Sequence, residues 1–404
     1  MRKAIALMLA VVMTAAVGCS AKSKTPKTPD TPPVTQTPPS TPPGTTTPAP
    51  PPSPDLTAVS GPGDLSLSDL EAGLRRYVNT GTGAVEGKLA DLYLRWGLKP
   101  PFGSVQSADL DKDGTAEVIT ALNAAGGLTG SGAVFVLSRK GAGWDVERTP
   151  EEMPGVVLRA VADVNGDGRS EIIWATTEVG AHTAHHGFTA ASWKPGQFTV
   201  LPGEMGMMSL LQFEMQGTDI VLTGGLVGSV GAGQAQRNYT VRYRFKDGQF
   251  RVVDRQFEAS DLGYHRLQDG ITAEQYGRVA EAVKAYRDAM EASRTAVPAD
   301  WTDAKYQTRF PDAVRTYARV RLAALLIQQG QTDEARKVMQ GATGSFSGMA
   351  LSMGAATTRD AACRAAASYA EQNAGFLETL NSVQGYANPV WGPSSICGSL
   401  PPPQ

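Results

Sequence analysis

Apolar positions along this chain follow a helical period at both flanks and a two-residue alternation between them. Over residues 64–96, Leu70, Leu74, Tyr77 and Val78 share one helical face, and Leu89, Leu92, Tyr93 and Trp96 share another. The stretch Asn79-Thr-Gly-Thr-Gly83 separates the two predicted helices. Residues 101–260 read as strands. The apolar runs Val118–Leu122 and Ile172–Ala175 are each followed by a Gly-rich connection and then a hairpin. The hairpins are Ala133–Leu137 with Trp144–Val146 across Lys140-Gly141, and Phe188–Trp193 with Phe198–Val200 across Pro195-Gly196. A third copy joins Tyr239–Phe245 to Phe250–Val253 across Asp247-Gly248, after the plain turn Met215-Gln-Gly217 and Asp219–Leu222. An aromatic follows the turn at 144, 198 and 250, a repeat of roughly fifty residues.

Such a repeat predicts the blades of a β-propeller-like domain. Three copies are fewer than the four that closure needs, so the expectation is an open stack capped by helices. The alternative is a divergent early blade hidden near residues 96–105. From 271 to 385 the helical period returns. Thr272 and Gln275 read as a capping box, with Tyr276, Val279, Val283, Tyr286 and Met290 on one face. A helix from about Asp312 to Gln329 stops at Gly330, Thr332 opens the next, and a last helix covers about Thr358–Leu380. Leu322, Ala323, Leu326, Gly330, Ala335, Met339 and Ala342 resemble one tetratricopeptide repeat without its early Trp and closing Pro. A generic helical bundle fits the pattern equally well. The expected class is thus α+β and multidomain: a helical lead-in at 61–100, β-repeats at 101–260, a helical domain at 271–385 and a tail at 386–404.

Two acidic loops carry the clearest chemistry. Asp109, Asp111, Asp113 and Glu117 surround Gly114, and Asp163, Asn165, Asp167 and Glu171 surround Gly168. Oxygen side chains at the first, third, fifth and ninth positions of a tight turn suit Ca²⁺, which takes six to eight oxygens. An EF-hand also begins this way but needs a bidentate acid at position twelve, where Thr120 and Trp174 stand. The segments Ala108–Glu117 and Ala162–Glu171 resemble the loops of FG-GAP and VCBS-type repeats. That resemblance implies side-chain ligation by the eight residues named and backbone carbonyls from Thr115 and Arg169. With four carboxylates against three, the first loop is expected to fill first.

The N-terminus reads as a targeting segment. Arg2 and Lys3 precede the apolar run Ala4–Val17, which is too short to span a bilayer. The sequence Ala16-Val17-Gly18-Cys19 resembles the lipobox of bacterial lipoproteins, with Ala16 where Leu is usual. The resemblance implies a signal peptide at 1–18, lipidation of Cys19 and a lipid-anchored position in the cell envelope, exported to its periplasmic or extracellular face. Residues 19–60, rich in Thr and Pro, form a predicted disordered linker. With Cys19 acylated, Cys363 and Cys397 remain, either as a disulfide in an oxidising compartment or as two buried thiols.

A formal charge of −2 over 404 residues leaves no basic footprint for nucleic acid. His182, His185 and His186 cluster in a Gly-rich connection, read as a polar loop tip or a transition-metal site. The chain contains no nucleophile elbow, phosphate loop or dinucleotide fingerprint, so no catalytic residue is assigned. The expectation is a calcium-stabilised binding or scaffold lipoprotein for a protein or polysaccharide partner of the envelope. The alternative is an envelope polysaccharide hydrolase or lyase with the β-repeats as accessory module.

Overall fold

The computed structural model describes residues 52–124, 130–180, 183–203, 206, 208–209, 211–291, 297–298 and 300–400. The signal segment, Cys19, most of the linker, His182 and residues 401–404 lie outside the described residues.

The period-two segments form three antiparallel sheets, each a four-strand meander. The first comprises β1 (Val105–Ala108), β2 (Glu117–Asn123), β3 (Ser131–Lys140) and β4 (Gly143–Arg148), with the short β5 (Met153–Pro154) against β3. The second comprises β6 (Val157–Ala162), β7 (Glu171–Val179), β8 (Ala184–Lys194) and β9 (Gln197–Val200), with β10 (Met208–Ser209) against β8. The third comprises β11 (Gln212–Gln216), β12 (Asp219–Gly224), β13 (Tyr239–Lys246) and β14 (Gln249–Phe257). The strands β1 and β6 were not legible in the sequence, and β11 showed only through the turn at Met215–Gly217 that closes its hairpin. Strands β1 and β6 place each acidic loop between the first and second strands of a meander rather than at its start.

Alternation along the strands stacks these sheets. Val118, Leu122, Phe135, Leu137 and Val146 face the helices α1 (Leu67–Asn79) and α2 (Val85–Arg95). The Ser66 hydroxyl caps α1 by accepting from the Asp69 backbone N–H. On the other face Ile119, Ala121, Val134 and Val136 meet Leu158, Ile172, Trp174, Ala191 and Trp193 of the second sheet. The second sheet's far side offers Ile173, Ala175, Phe188 and Ala190 to Ile220, Leu222, Val241 and Tyr243 of the third. Beyond that the pattern turns polar. Gln212, Glu214, Thr240, Arg242 and Arg244 occupy the third sheet's outer face, and the stack ends there. No extra blade precedes it among the described residues, because residues 105–108 are the edge strand of the first sheet and α1 and α2 cover its outer face.

The C-terminal helices are α3 (Gly263–Gln275), α4 (Val279–Met290), α5 (Arg309–Gln328), α6 (Thr332–Gln340), α7 (Ser347–Leu351), α8 (Arg359–Gln372) and α9 (Gly375–Asn381). Thr272 therefore lies in the last turn of α3 instead of capping a helix start. Helix α3 escaped the periodicity because its buried side includes Gly263, His265, Gln268, Gly270 and Thr272. Gly270 lets α4 approach closely, since a Cβ there would stand 2.5 Å from the Tyr286 ring. The single helix expected over 358–380 is broken at Asn373, whose backbone and side-chain amides both donate to the Tyr369 carbonyl.

Residues 386–400 are no loose tail: Trp391, Ile396 and Leu400 are buried in the helical core. Cys363 and Cys397 form a disulfide with a Cα–Cα distance of 5.7 Å, tying this segment to α8. Arg321 of α5 donates to the carbonyls of Ile396 (3.3 Å) and Gly398 (2.7 Å), and to Glu274 of α3 at 2.8 Å. Glu274 also accepts from Arg359 (2.5 Å) and from the Tyr286 hydroxyl (2.6 Å). One buried carboxylate thus joins α3, α4, α5, α8 and the C-terminal segment. Replacing Glu274 by Ala is expected to cost about 3–5 kcal/mol, because Arg321 is left buried without its counter-charge. Urea denaturation measures this, and a loss below about 1 kcal/mol would mean that the carbonyls alone satisfy Arg321.

Candidate functional site

The two acidic loops fold alike. The first aspartate of each accepts from the backbone N–H five residues on, Gly114 to Asp109 at 3.0 Å and Gly168 to Asp163 at 2.9 Å. Asp111 accepts from Asp113 N–H (3.1 Å) and Asn165 from Asp167 N–H (2.8 Å). Asp113 and Asp167 accept from the N–H of Thr115 and Arg169, both at 2.7 Å. Each closing glutamate reaches back to the second loop residue, Leu110 N–H to Glu117 at 2.8 Å and Val164 N–H to Glu171 at 3.0 Å. Leu110 and Val164 are buried plugs that orient these donors, a role unread in the sequence.

The loops then diverge. In the second, Gly166 N–H also donates to Asp163 (2.7 Å), and the Asn165 amide donates to Glu171 (2.8 Å). Both carboxylate oxygens of Asp163 and of Glu171 thus accept hydrogen bonds. In the first, Lys112 holds a left-handed φ of 64°, where the second loop has Gly166 at 79°. Asp109 Oδ1 is buried there without a hydrogen-bond partner. Oxygens of Asp109, Asp111 and Glu117 lie within 4.8 Å of one another, a spacing that no other acidic trio among the described residues matches. Asp113 stands outside the trio. Three hard oxygen donors at that spacing have the chemistry of a divalent-cation site. The two loops are neighbours: the Lys112 ammonium lies 3.0 Å from where a Cβ on Gly168 would stand.

The glutamates are unusual for their burial, Glu117 being 2 % and Glu171 0 % exposed. Burial pushes Glu117 up to about 7, with the charges of Asp111 and Asp113 adding to the shift. Burial pushes Glu171 up to about 7 as well, joined by Asp167 and Asp163. The third sheet provides an internal control. Asp219, 4 % exposed, begins β12 as Glu117 begins β2 and Glu171 begins β7. Arg244 grips it with two bonds of 2.7 Å and Arg242 adds a third at 3.3 Å. The hydrogen bond from Arg244 holds the Asp219 carboxyl below the ordinary carboxylate value.

His185 and His186 occupy strand β8, not a loop tip. Adjacent strand residues point to opposite faces. His185 Nδ1 meets Ser209 Oγ at 3.1 Å and His186 Nδ1 meets Thr177 Oγ1 at 3.0 Å. The structure therefore separates these two rings rather than bringing them to one metal. Compared with protein-family models, curated proteins and solved structures, the chain matches none.

The raised glutamate pKa values set a pH dependence for the metal-free protein. Between about pH 4.5 and 7 the native state keeps protons that the unfolded chain has released, so stability falls as pH rises through that window. The chelated protein should show its Tm declining from pH 5 to 8, and Glu117→Gln should flatten part of that decline. A wild-type profile that is level over this range would contradict a buried, uncompensated Glu117.

Proposed function

We propose that the chain is a lipid-anchored binding or scaffold protein of a bacterial cell envelope, with one Ca²⁺ at Asp109, Asp111 and Glu117 pinning its β-repeats. The observation that carries the calcium reading is the set of three equivalent strand-start carboxylates. Asp219 is neutralised by two arginines, Glu171 is met by the Asn165 amide, and Glu117 has neither. A cation in the first loop would complete the series. The likeness of both loop sequences to the FG-GAP-type motif supports the reading, with the open three-meander stack as its propeller-like part. The second loop is a hydrogen-bonded copy that holds its shape by itself.

The Ca²⁺ acts as a structural pin. By fixing the turn between β1 and β2 it secures the edge strand against which the next sheet packs. The anchor reading rests on the Ala16–Cys19 motif, and the partner is an envelope protein or polysaccharide presented to the exposed strand ends and helices.

Calorimetric titration of the chelated chain with Ca²⁺ should give one site with a Kd of roughly 10⁻⁴–10⁻³ M, the range of extracellular modules. Saturation should raise Tm, Asp111→Asn should abolish both effects, and Asp167→Asn should leave them. Two equivalent sites, or a response lost equally in both variants, would overturn the assignment to the first loop. For the anchor, Cys19→Ala should move the chain from the membrane to the soluble fraction.

A further inference from the structure

We propose that the seam between the β-stack and the helical region is a binding site for a small organic anion: one carboxylate or phosphate on a ring-sized apolar body. The site is a cleft of about 130 Å³ lined from three directions. His185 and Ser209 come from the second sheet, Tyr239, Arg255 and Phe257 from the third, and Gln268 with residues 386–389 from the helical side. Nothing in the acidic-loop reading involves it.

Charge decides what it takes. Among the described residues, the cleft wall holds Arg237, Arg255 and His185 and no carboxylate. Arg237 has a structural task. Its side chain is 6 % exposed, and it donates to the carbonyls of Glu258 (2.8 Å) and His265 (2.7 Å) and to Asp269 (2.6 Å). Its Nε has no partner. Arg255 differs. Among the described residues no carboxylate pairs with it and no carbonyl accepts from it, and its Nε is buried without a partner. Its guanidinium instead sits 5.4 Å from the Tyr239 ring centroid. The neighbouring acid, Asp254, is taken by Arg278. An arginine held by an aromatic face in the wall of a cleft, without a carboxylate partner, matches the chemistry that recognises carboxylate and phosphate.

The remaining wall fits a ring. Phe257, Tyr239, Met208, Val227 and Leu400 give it apolar surface. A cavity of about 150 Å³ accommodates a benzene ring, and this open cleft of about 130 Å³ is close to that size, so a single six-membered ring partly seated in it would bring its anionic group to Arg255. Gly225 allows the arrangement. It has φ 104°, and a Cβ there would stand 2.2 Å from the Tyr239 ring.

The test uses the full chain in detergent, with benzoate and phenyl phosphate as anionic probes and benzamide as the neutral match. Saturable binding of either anion, at least about tenfold tighter than benzamide, is the expected result. Arg255→Gln should weaken the anions about tenfold, and Arg251→Gln, exposed on the same strand, should change nothing. Phenylglyoxal labelling needs no variant: benzoate should protect Arg255 and not Arg251, read by peptide mass mapping. Equal binding of benzamide, no saturable binding of either anion, or labelling of Arg255 unaffected by benzoate would each overturn the proposal. Arg255→Lys keeping part of the affinity would support it. Because the loops are untouched, Glu117→Gln should bind benzoate as the wild type does.

Discussion

A buried carboxylate at the start of the second strand is the constraint on which each sheet depends. Glu117, Glu171 and Asp219 pair across to Ala108, Ala162 and Gln216, the last residues of β1, β6 and β11. Each therefore sits where the chain turns from one strand to the next. Leaving such a group charged and unpartnered in a low-dielectric position is costly, so each meander must supply a partner. The third does so with Arg244 and Arg242, side chains on the adjacent β13. The second uses an amide and backbone N–H groups. The first has backbone N–H donation from Leu110 and no side-chain donor, while in both loops two nearby acids worsen the charge. The three sheets are three answers to one electrostatic demand, and among the described residues the first alone brings three carboxylates to a spacing that could hold a cation.

The architecture itself follows from which strand faces are apolar. In β2 every residue from Glu117 to Leu122 is buried, so both faces must be covered. The central strands of the second sheet are apolar on both sides as well. Two such sheets must stack, and a third, apolar on one side only, closes the series. This was readable in the hairpins and their aromatic spacing. The edge strands were not. β1 and β6 carry Val105-Gln-Ser-Ala108 and Val157-Leu-Arg-Ala-Val-Ala162, short or irregular patterns that only pairing to a neighbour defines. A β-bulge between Leu158 and Ala160 interrupts the alternation of β6 and hides it further.

Legibility of the sites split along similar lines. The oxygen positions of both loops were explicit in sequence, since a tight turn fixes side-chain direction locally. Their inequivalence was not, because it depends on Asn165 reaching Glu171 and on what Asp109 Oδ1 lacks. The histidines misled for the opposite reason: His185 and His186 look paired in sequence and are parted by the pleat. In the helical region, Leu- and Ala-rich α5 announced itself. By contrast α3 and residues 386–400 owe their burial to glycine contacts and to the Glu274–Arg321 pair, which no periodicity reports.

The second acidic loop and the cleft stand at opposite ends of the second sheet, and the first loop lies on a sheet that lends the cleft no residue. Strand β12 begins at Asp219 and ends at Gly224, next to Gly225 of the cleft wall. Likewise β7 begins at Glu171, and its far end pairs with His185, so six to nine residues of strand, about 20–30 Å, separate the two features. A cation in the first loop can therefore stiffen the stack without touching a ligand in the cleft. The cleft end is fixed by different means. The Gly231–Gly233 backbone lies against Gly385–Asn388, with Gly231 accepting from Tyr386 N–H at 3.1 Å and Ala232 from Ala387 N–H at 3.3 Å. A Cβ on Gly385 would stand 2.2 Å from the Gly231 carbonyl oxygen, so any side chain there forces the two layers apart. Residues 386–389 thus reach the cleft from a segment that the Cys363–Cys397 disulfide and the buried Arg321 hold in place. What the fold offers a partner is consequently a pre-formed seam, its sheet wall set by strand pairing and its helical wall set by the Glu274 hub.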